Sequence, residues 1–216
     1  MFTVVVNSQK GGSGKSTLCR ILGVHLARQS HNVFLIDLDE QGTLRDWHES
    51  RENEEPRRVE LGAEGLAAGL PMLQEHGADF VFIDTPPHAC EGLGEVFRLA
   101  DLVLIPVKPT PDDLKAAAVT VRILKSYSVP FLFVINQAVQ NTNITAQAIA
   151  ALSHHGAVCE TLIINRVTYP AAFTDGRTPE EIDQKGTAAK ETANLWKNIQ
   201  TYMNANIQVL RSASNG

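Results

Sequence analysis

The sequence has few cysteines, and no two of them are close enough to share a site. Cys19, Cys90 and Cys159 are far apart and form no C-x-x-C pattern. This spacing excludes a disulfide framework and a cysteine-bound zinc or iron-sulfur site, and we expect reduced, mostly buried thiols. A chain of 216 residues buries a large share of its apolar surface without such links. We therefore expect one domain over residues 1–211, followed by a flexible tail at 212–216.

Long apolar runs are also missing. No apolar stretch approaches the length of about 18 residues that a membrane helix needs. The start, MFTVVVN, enters an apolar run without the basic segment that opens a signal peptide. The histidines show no H-E-x-x-H or similar ligand spacing, so no zinc site of that kind is expected. These absences predict a cytoplasmic protein.

The chain lacks an excess of positive charge. It has 19 Lys and Arg against 24 Asp and Glu, which gives a formal net charge of −5. A protein that coats nucleic acid through its overall charge is basic, so the net charge argues against this class. A local basic patch that forms on dimerisation stays open.

Apolar β-rich runs recur along the chain, and a segment with helical spacing follows each of them. Such nearly continuous apolar strands alternating with helices are typical of a parallel sheet covered on both faces. The sequence therefore predicts an α/β fold, with a doubly wound, mostly parallel β-sheet flanked by helices. The predicted strands are FTVVV at 2–6, NVFLID at 32–37, DFVFID at 79–84, DLVLIPV at 101–107, PFLFVIN at 130–136 and a weaker AVCETLI at 157–163.

Two other segments have a distinct character. Residues 45–60, RDWHESRENEEPRRVE, are dense in charge of both signs, which predicts a solvated helix and loop. From Gly186 to Leu210, apolar residues recur at helical spacing, which predicts a closing helix packed on the body of the domain.

The stretch SQKGGSGKST at 8–17 lies between the first predicted strand and the first helix. Its residues Gly14, Lys15 and Ser16 match the end of the phosphate-binding pattern G-x-x-x-x-G-K-[ST]. At the position of the first glycine of that pattern the chain has Gln9, and Lys10 follows it. Three later glycines allow the backbone to curl around phosphate, which the positive end of the next helix would face. They are Gly11, Gly12 and Gly14.

The end of this loop has the side chains that a nucleotide triphosphate needs. Lys15 can reach the β and γ phosphates, the Ser16 hydroxyl can bind Mg²⁺, and Thr17 is free to touch the α phosphate. The sequence therefore predicts ATP and Mg²⁺ as ligands. The residues expected to bind the nucleotide are Gly11, Gly12, Ser13, Gly14, Lys15, Ser16 and Thr17.

Carboxylates end two of the predicted strands. Asp84 ends DFVFID, and Asp37 and Asp39 end NVFLID in the phrase DLDEQG. Ligands bind at the carboxyl ends of strands in such sheets. We expect Asp84 to hold Mg²⁺ through water, and Asp37 and Asp39 to serve a metal-bound water and the attacking water. One carboxylate at a strand end can be a helix cap, but three at two adjacent ends favour a site.

The run KGGSGKST, with a lysine before the paired glycines, resembles the deviant phosphate loop K-G-G-x-G-K-[ST]-[ST] of the ParA/MinD family. The resemblance continues through almost the full chain. It includes DLDEQG, where Glu40 replaces the proline of the usual D-x-D-P-Q-G, and also IDTPP, LIPVKPTPDDL and NRVTYPAAFTDGRTPEE. It is similar above all to the short plasmid-partition ATPases that lack an N-terminal helix-turn-helix domain.

The resemblance implies a role for several residues. Lys10 is similar to the signature lysine, which crosses an ATP-bound dimer interface and touches the partner's phosphates. Asn136 corresponds to a position that recognises adenine, and Pro170 would line the base. Lys10, Lys15 and Asp39 would form the catalytic set, and Ser16, Asp37 and Asp84 the metal-binding set.

The family resemblance also implies partners. The protein would be a partition ATPase whose ATP-bound homodimer binds non-specific DNA and associates with the nucleoid. A centromere-binding or cargo-adaptor protein would stimulate hydrolysis and so move or position cargo. Candidate DNA contacts are Arg166, Lys185 and Lys190, although acidic residues balance the basic ones in this part of the chain. Ordinary helix-surface charge is the alternative for each of them.

Other uses of this nucleotide fold fit less well. A membrane-surface ATPase of the MinD type needs a C-terminal amphipathic helix with a lysine-rich polar face. Here Lys197 and Arg211 lie among Gln, Asn and Thr, so membrane binding is disfavoured. Metal-cluster assembly would need paired cysteines, whereas small-molecule ligation stays open in principle. The presence of Asp39 speaks against a binding module without turnover.

Overall fold

A computed structural model describes residues 1–87, 92–140 and 142–213, and the side chains of the last helix up to residue 206. Cys90 therefore lies outside the described residues, as do the side chains of Ile207, Leu210 and Arg211. Cys19 and Cys159 are buried free thiols, as the sequence predicts.

The described strands form one six-stranded sheet in the order β3-β2-β4-β1-β5-β6. Every neighbouring pair in it is parallel, and the predicted fold class is confirmed. The strands are apolar along most of their length because helices cover both faces of the sheet. Their bounds are β1 Phe2–Val6, β2 Val33–Asp37, β3 Arg57–Arg58, β4 Phe80–Asp84, β5 Leu102–Val107 and β6 Phe131–Ile135.

The helices divide between the two faces of the sheet. The apolar cluster on one face includes residues of α1, α2, α7 and α9, and the cluster on the other face includes residues of α3, α4, α5 and α6. The bounds are α1 Lys15–Ala27, α2 Thr43–Glu49, α3 Leu66–Glu75, α4 Leu93–Arg98, α5 Pro111–Tyr127, α6 Asn143–Ser153, α7 Thr168–Phe173, α8 Pro179–Ile182 and α9 Thr187–Ala213.

The predicted strand at 157–163 is wrong. The segment makes one isolated parallel bridge to β6, between Phe133 and Val158. The backbone N–H of Thr161 donates instead to Asn198 Oδ1 on α9, at 3.1 Å. This side chain takes a donor that a continuous strand ladder would need, so pairing along β6 is interrupted.

The charged segment at 45–60 contains part of a helix, which was predicted, and a short strand, which was not. Its first part belongs to α2, as expected. Its end forms the two-residue strand β3, which pairs with β2 at the edge of the sheet. A very short strand that carries an exposed charge, here Arg57, is a common way to protect a sheet edge, but two arginines in sequence give no pattern that predicts a strand.

The predicted closing helix is α9, which packs Leu195, Trp196 and Ile199 against one face of the sheet. The tail predicted at 212–216 lies largely outside the described residues. Across the described ranges, we find no helix with the length and apolar character needed to span a membrane.

Candidate active site

The sheet register brings the phosphate loop and the carboxylates to one edge. Asp84 is aligned with Val6 at the end of β1 on one side and with Asp37 at the end of β2 on the other. The chain leaves β1 as the loop at 7–14 and enters α1 directly. Residues separated by up to about a third of the sequence therefore meet at the carboxyl ends of three adjacent strands.

The loop has the tight backbone that its glycines predict. Gly12 and Gly14 have φ values of +70° and +107°, a region in which glycine has no steric penalty. A Cβ added at Gly14 would lie 1.8 Å from Nδ2 of Asn136, so a side chain cannot be accommodated there. The loop thus depends on glycine at position 14 for both its conformation and its packing.

Asn136 connects the loop to a neighbouring cavity. Its side chain is 2% exposed, and Nδ2 donates to the carbonyl oxygen of Ser13 at 2.7 Å. Asn136 also lines a cavity of about 270 Å³ together with Thr17, Pro170 and Phe173. The geometry gives Asn136 a role in holding the loop. Its contact with adenine stays a prediction, as does that of Pro170, but both residues border the same cavity beside the loop.

Lys15 lies under the loop and close to two of the predicted carboxylates. Its side chain is buried. Burial lowers the pKa of the Lys15 ammonium, while the negative charges of Asp84 and Asp39 oppose this shift. Burial disfavours the charged form of Lys15, and a phosphate bound beside it would stabilise that form.

Asp84 is a buried carboxylate beside the Ser16 hydroxyl. It is fully buried, and within the described residues neither of its oxygens accepts a hydrogen bond. Burial raises the pKa of Asp84 to about 7; the nearby Ser16 hydroxyl lowers it, and the charge of Asp37 raises it further. A bound cation would stabilise the ionised form.

The chemistry of Asp84 and Ser16 fits Mg²⁺. This ion prefers oxygen ligands, keeps several waters and binds to proteins through one or two carboxylates together with substrate phosphates. Asp84 and Ser16 are the residues that would hold Mg²⁺.

Both carboxylate oxygens of Asp37 accept backbone hydrogen bonds. Its Oδ2 accepts hydrogen bonds from the backbone N–H groups of Leu44 and Arg45, at 3.0 and 2.9 Å. Its Oδ1 accepts one from the N–H of Asp39 at 3.0 Å. Both oxygens are thus engaged in capping α2 and shaping the turn that follows β2. This arrangement gives Asp37 a positioning role, and its predicted contact with a metal-bound water stays a prediction.

Asp39 lies in the turn that Asp37 shapes. Its Oδ1 accepts the N–H of Gln41 at 3.1 Å, and its charge acts on both Lys15 and Asp84. The side chain is half-buried, so water can reach it from the loop side. Its position is compatible with the predicted role in orienting a water molecule.

The Lys10 side chain lies at the surface of the phosphate loop. Its Nζ lies 3.8 Å from Oδ2 of Asp112 at the start of α5, and the two side chains are 44% and 73% exposed. Lys10 and Lys15 are thus five positions apart on one loop but differ in environment. Lys15 is buried among carboxylates, whereas Lys10 forms a surface ion pair.

Two cationic residues at the site were not predicted from the sequence. Lys108, directly after β5, has its Nζ 3.6 Å from the position of a Cβ on Gly12. Arg20 on α1 has its guanidinium 5.4 Å from the ring centre of Trp47 and 4.7 Å from that of Phe173. Lys108 could have been found from its place at the carboxyl end of a strand. No local pattern indicates Arg20, because its contacts come from distant segments.

The DNA-contact candidates occupy different environments. Arg166 donates from Nη2 to Glu191 Oε1 at 2.5 Å, and it borders the cavity beside Asn136. This ion pair connects the cavity wall to α9, and the contact of Arg166 with DNA stays a prediction. Lys185 and Lys190 are exposed around the start of α9, and their contact with DNA stays a prediction.

Comparison with known proteins places the chain among nucleotide-binding domains. Residues 4–179 match the family model of the CobQ/CobB/MinD/ParA nucleotide binding domain. The chain is 27% identical over 213 residues to Maintenance of carboxysome distribution protein A of Halothiobacillus neapolitanus, covering 89% of this chain and 93% of that protein. It is 26% identical over 189 residues to Protein ParA of Rhizobium radiobacter, covering 82% and 84%.

A solved structure supports the same fold. The putative plasmid partition protein of Borrelia burgdorferi B31, bound to AMPPNP, aligns with a TM-score of 0.76 at 17% identity. The alignment covers 93% of this chain and 98% of that one. At this identity the likeness shows the fold alone.

Proposed function

We propose that this chain, which belongs to the CobQ/CobB/MinD/ParA nucleotide-binding domain family, is an ATPase. Binding of ATP would make it a homodimer. The dimer would bind non-specific DNA, and a cargo-recognising partner protein would stimulate hydrolysis to segregate or position cargo. The name of one relative, Maintenance of carboxysome distribution protein A, refers to distribution of a cargo, which supports a positioning role. The observation that carries the proposal is the contrast between buried Lys15 and surface-exposed Lys10 on one loop.

The buried side of the loop would bind and orient the nucleotide of its own subunit. Loop N–H groups and the Lys15 ammonium would hold the phosphates, with Ser16 and Asp84 on the metal side. Asp39 would orient the attacking water, and Asp37 would keep Asp39 in place through its backbone hydrogen bond. When bound, Mg²⁺ would neutralise charge on the phosphate oxygens.

The exposed side of the loop would serve the second subunit. An ammonium that reaches across an interface neutralises charge on the transferring phosphoryl group as an arginine finger does. Lys10 is exposed and belongs to the loop that surrounds its own phosphates, so two such loops facing each other would exchange lysines. Closure would then depend on the γ phosphate, and hydrolysis would weaken the dimer.

The ion pair between Lys10 and Asp112 should restrain this exchange. Lys10 must leave Asp112 to reach a partner's phosphates, and an exposed pair of this kind contributes about 0.2–1 kcal/mol. We expect Asp112→Asn to lower the ATP-dependent dimer dissociation constant several-fold, since each dimer breaks the pair twice. Sedimentation equilibrium with ATP and Mg²⁺ measures this constant.

A matched control separates this effect from a change in net charge. Glu160→Gln removes the same charge at an exposed position that makes no contact with Lys10. Equal dimer dissociation constants for the Asp112 and Glu160 variants would contradict the restraint. In a Lys10→Ala background, Asp112→Asn should have no effect.

Retention on DNA tests the proposed function. Phosphate contacts dominate non-specific DNA affinity and weaken steeply as salt rises. We expect the wild-type protein to be retained on DNA of arbitrary sequence with ATP, to be released with ADP or without nucleotide, and to lose retention in high salt. Absence of DNA retention under every condition, with retention on anionic liposomes instead, would contradict a DNA-based function.

A further inference from the structure

Lys108 lies against the phosphate loop from a second strand. It is the first residue after β5, and β5 pairs with β1, from which the loop emerges. The Lys108 ammonium is 3.6 Å from the position that a Cβ would occupy on Gly12. The loop and this lysine are therefore neighbours because of the strand order, although they are far apart in sequence.

The Lys108 ammonium has no counter-charge within the described part of the chain. The side chain is half-buried, and among the described residues no hydrogen bond or ion pair engages its Nζ. The other two lysines of the loop region differ, because Lys10 is paired with Asp112 and Lys15 feels the charges of Asp39 and Asp84. A partly desolvated cation without a partner costs free energy unless an anion binds near it.

We propose that Lys108 binds the phosphate chain of the nucleotide from the Gly12 side of the loop. This inference rests on the proposed function, because it requires a nucleotide in the loop. The backbone at Gly12 would border the phosphates, and an ammonium beside it would lie within reach of their charge. Since ATP carries more negative charge than ADP, Lys108 favours ATP over ADP.

Replacement of Lys108 with methionine tests this role, because methionine keeps most of the packing and removes the charge. We expect Lys108→Met to weaken ATP binding about tenfold, a difference of about 1.4 kcal/mol, and to weaken ADP binding by a smaller factor. Isothermal titration calorimetry with Mg²⁺ gives both dissociation constants. Lys108→Arg should restore the preference for ATP.

Two controls distinguish a role of Lys108 in nucleotide binding from a role in the stability of the fold. Lys197→Met removes an exposed lysine on α9 and should leave both nucleotide affinities unchanged. The unfolding temperature of Lys108→Met without nucleotide should equal or exceed that of the wild type, because a charge without a partner is lost. Equal losses for ATP and ADP together with a lower unfolding temperature would overturn the inference in favour of a structural role.

The same binding measurements distinguish an error about Lys108 from an error about the proposed ATPase function. If the wild type binds ATP and Lys108→Met binds both nucleotides as Lys197→Met does, the role of Lys108 is overturned and the ATPase proposal stands. If the wild type itself binds no ATP, both are overturned.

Discussion

The Lys15→Ala variant should not bind ATP. Lys15 is 6% exposed, and the charges of Asp84 and Asp39 act on its ammonium, so its removal leaves these carboxylates without their buried cation. Hydrogen bonds to charged groups contribute about 1.5–3 kcal/mol each, and an ammonium that contacts two phosphate groups provides more than one of them. We expect the affinity for Mg-ATP to fall at least about a hundredfold, which follows from about 2.7 kcal/mol.

Calorimetric titration with Mg-ATP measures this loss, and circular dichroism checks that the variant is folded. Lys10→Ala serves as the matched control, because it removes a lysine of the same loop whose ammonium lies at the surface. Unchanged ATP affinity in Lys15→Ala would mean that the loop at 8–17 does not hold the phosphates.

The Lys10→Ala variant should bind ATP but not hydrolyse it. Its ammonium is paired with Asp112 and does not lie among the buried carboxylates of its own loop. We therefore expect nearly normal ATP affinity, while the contribution to the transition state of the partner's nucleotide is lost. Cations supplied in this way accelerate phosphoryl transfer by about 10³ to 10⁵, so turnover should fall by about a thousandfold or more.

Phosphate release at saturating ATP and Mg²⁺ measures the turnover of Lys10→Ala. Lys197→Ala, which removes a lysine on α9 remote from the loop in sequence, should hydrolyse ATP at the wild-type rate. Wild-type turnover by Lys10→Ala would show that the cation acting on the phosphoryl group lies elsewhere.

The sequence predicts those strands whose formation depends on their own apolar residues, and it fails where a distant side chain decides the pairing. The five strong apolar runs became strands because nearly every side chain in them is buried by helices on one face or the other. The sixth, at 157–163, had an adequate local pattern, but Asn198, from another part of the chain, accepts the Thr161 N–H, and the segment keeps only an isolated bridge to β6. Competition from a distant side chain is absent from any local pattern.

The same distinction applies to the site. The loop at 8–17 was predictable because its function requires contiguous residues with fixed chemistry. The cap that Asp37 provides depends on the direction in which α2 leaves the sheet, and the neighbourhood of Lys108 and Gly12 depends on the strand order. The pairing of Arg166 with Glu191 likewise arises only when α9 packs beside the cavity, so no local pattern indicates it.

The mass of the wild-type protein in solution as a function of nucleotide is the most direct test of an ATP-controlled dimer. Sedimentation velocity with Mg-ATP, with Mg-ADP and without nucleotide compares the three states at one protein concentration. We predict the mass of two chains with ATP and of one chain in the other two conditions. The same mass in all three conditions would contradict the account.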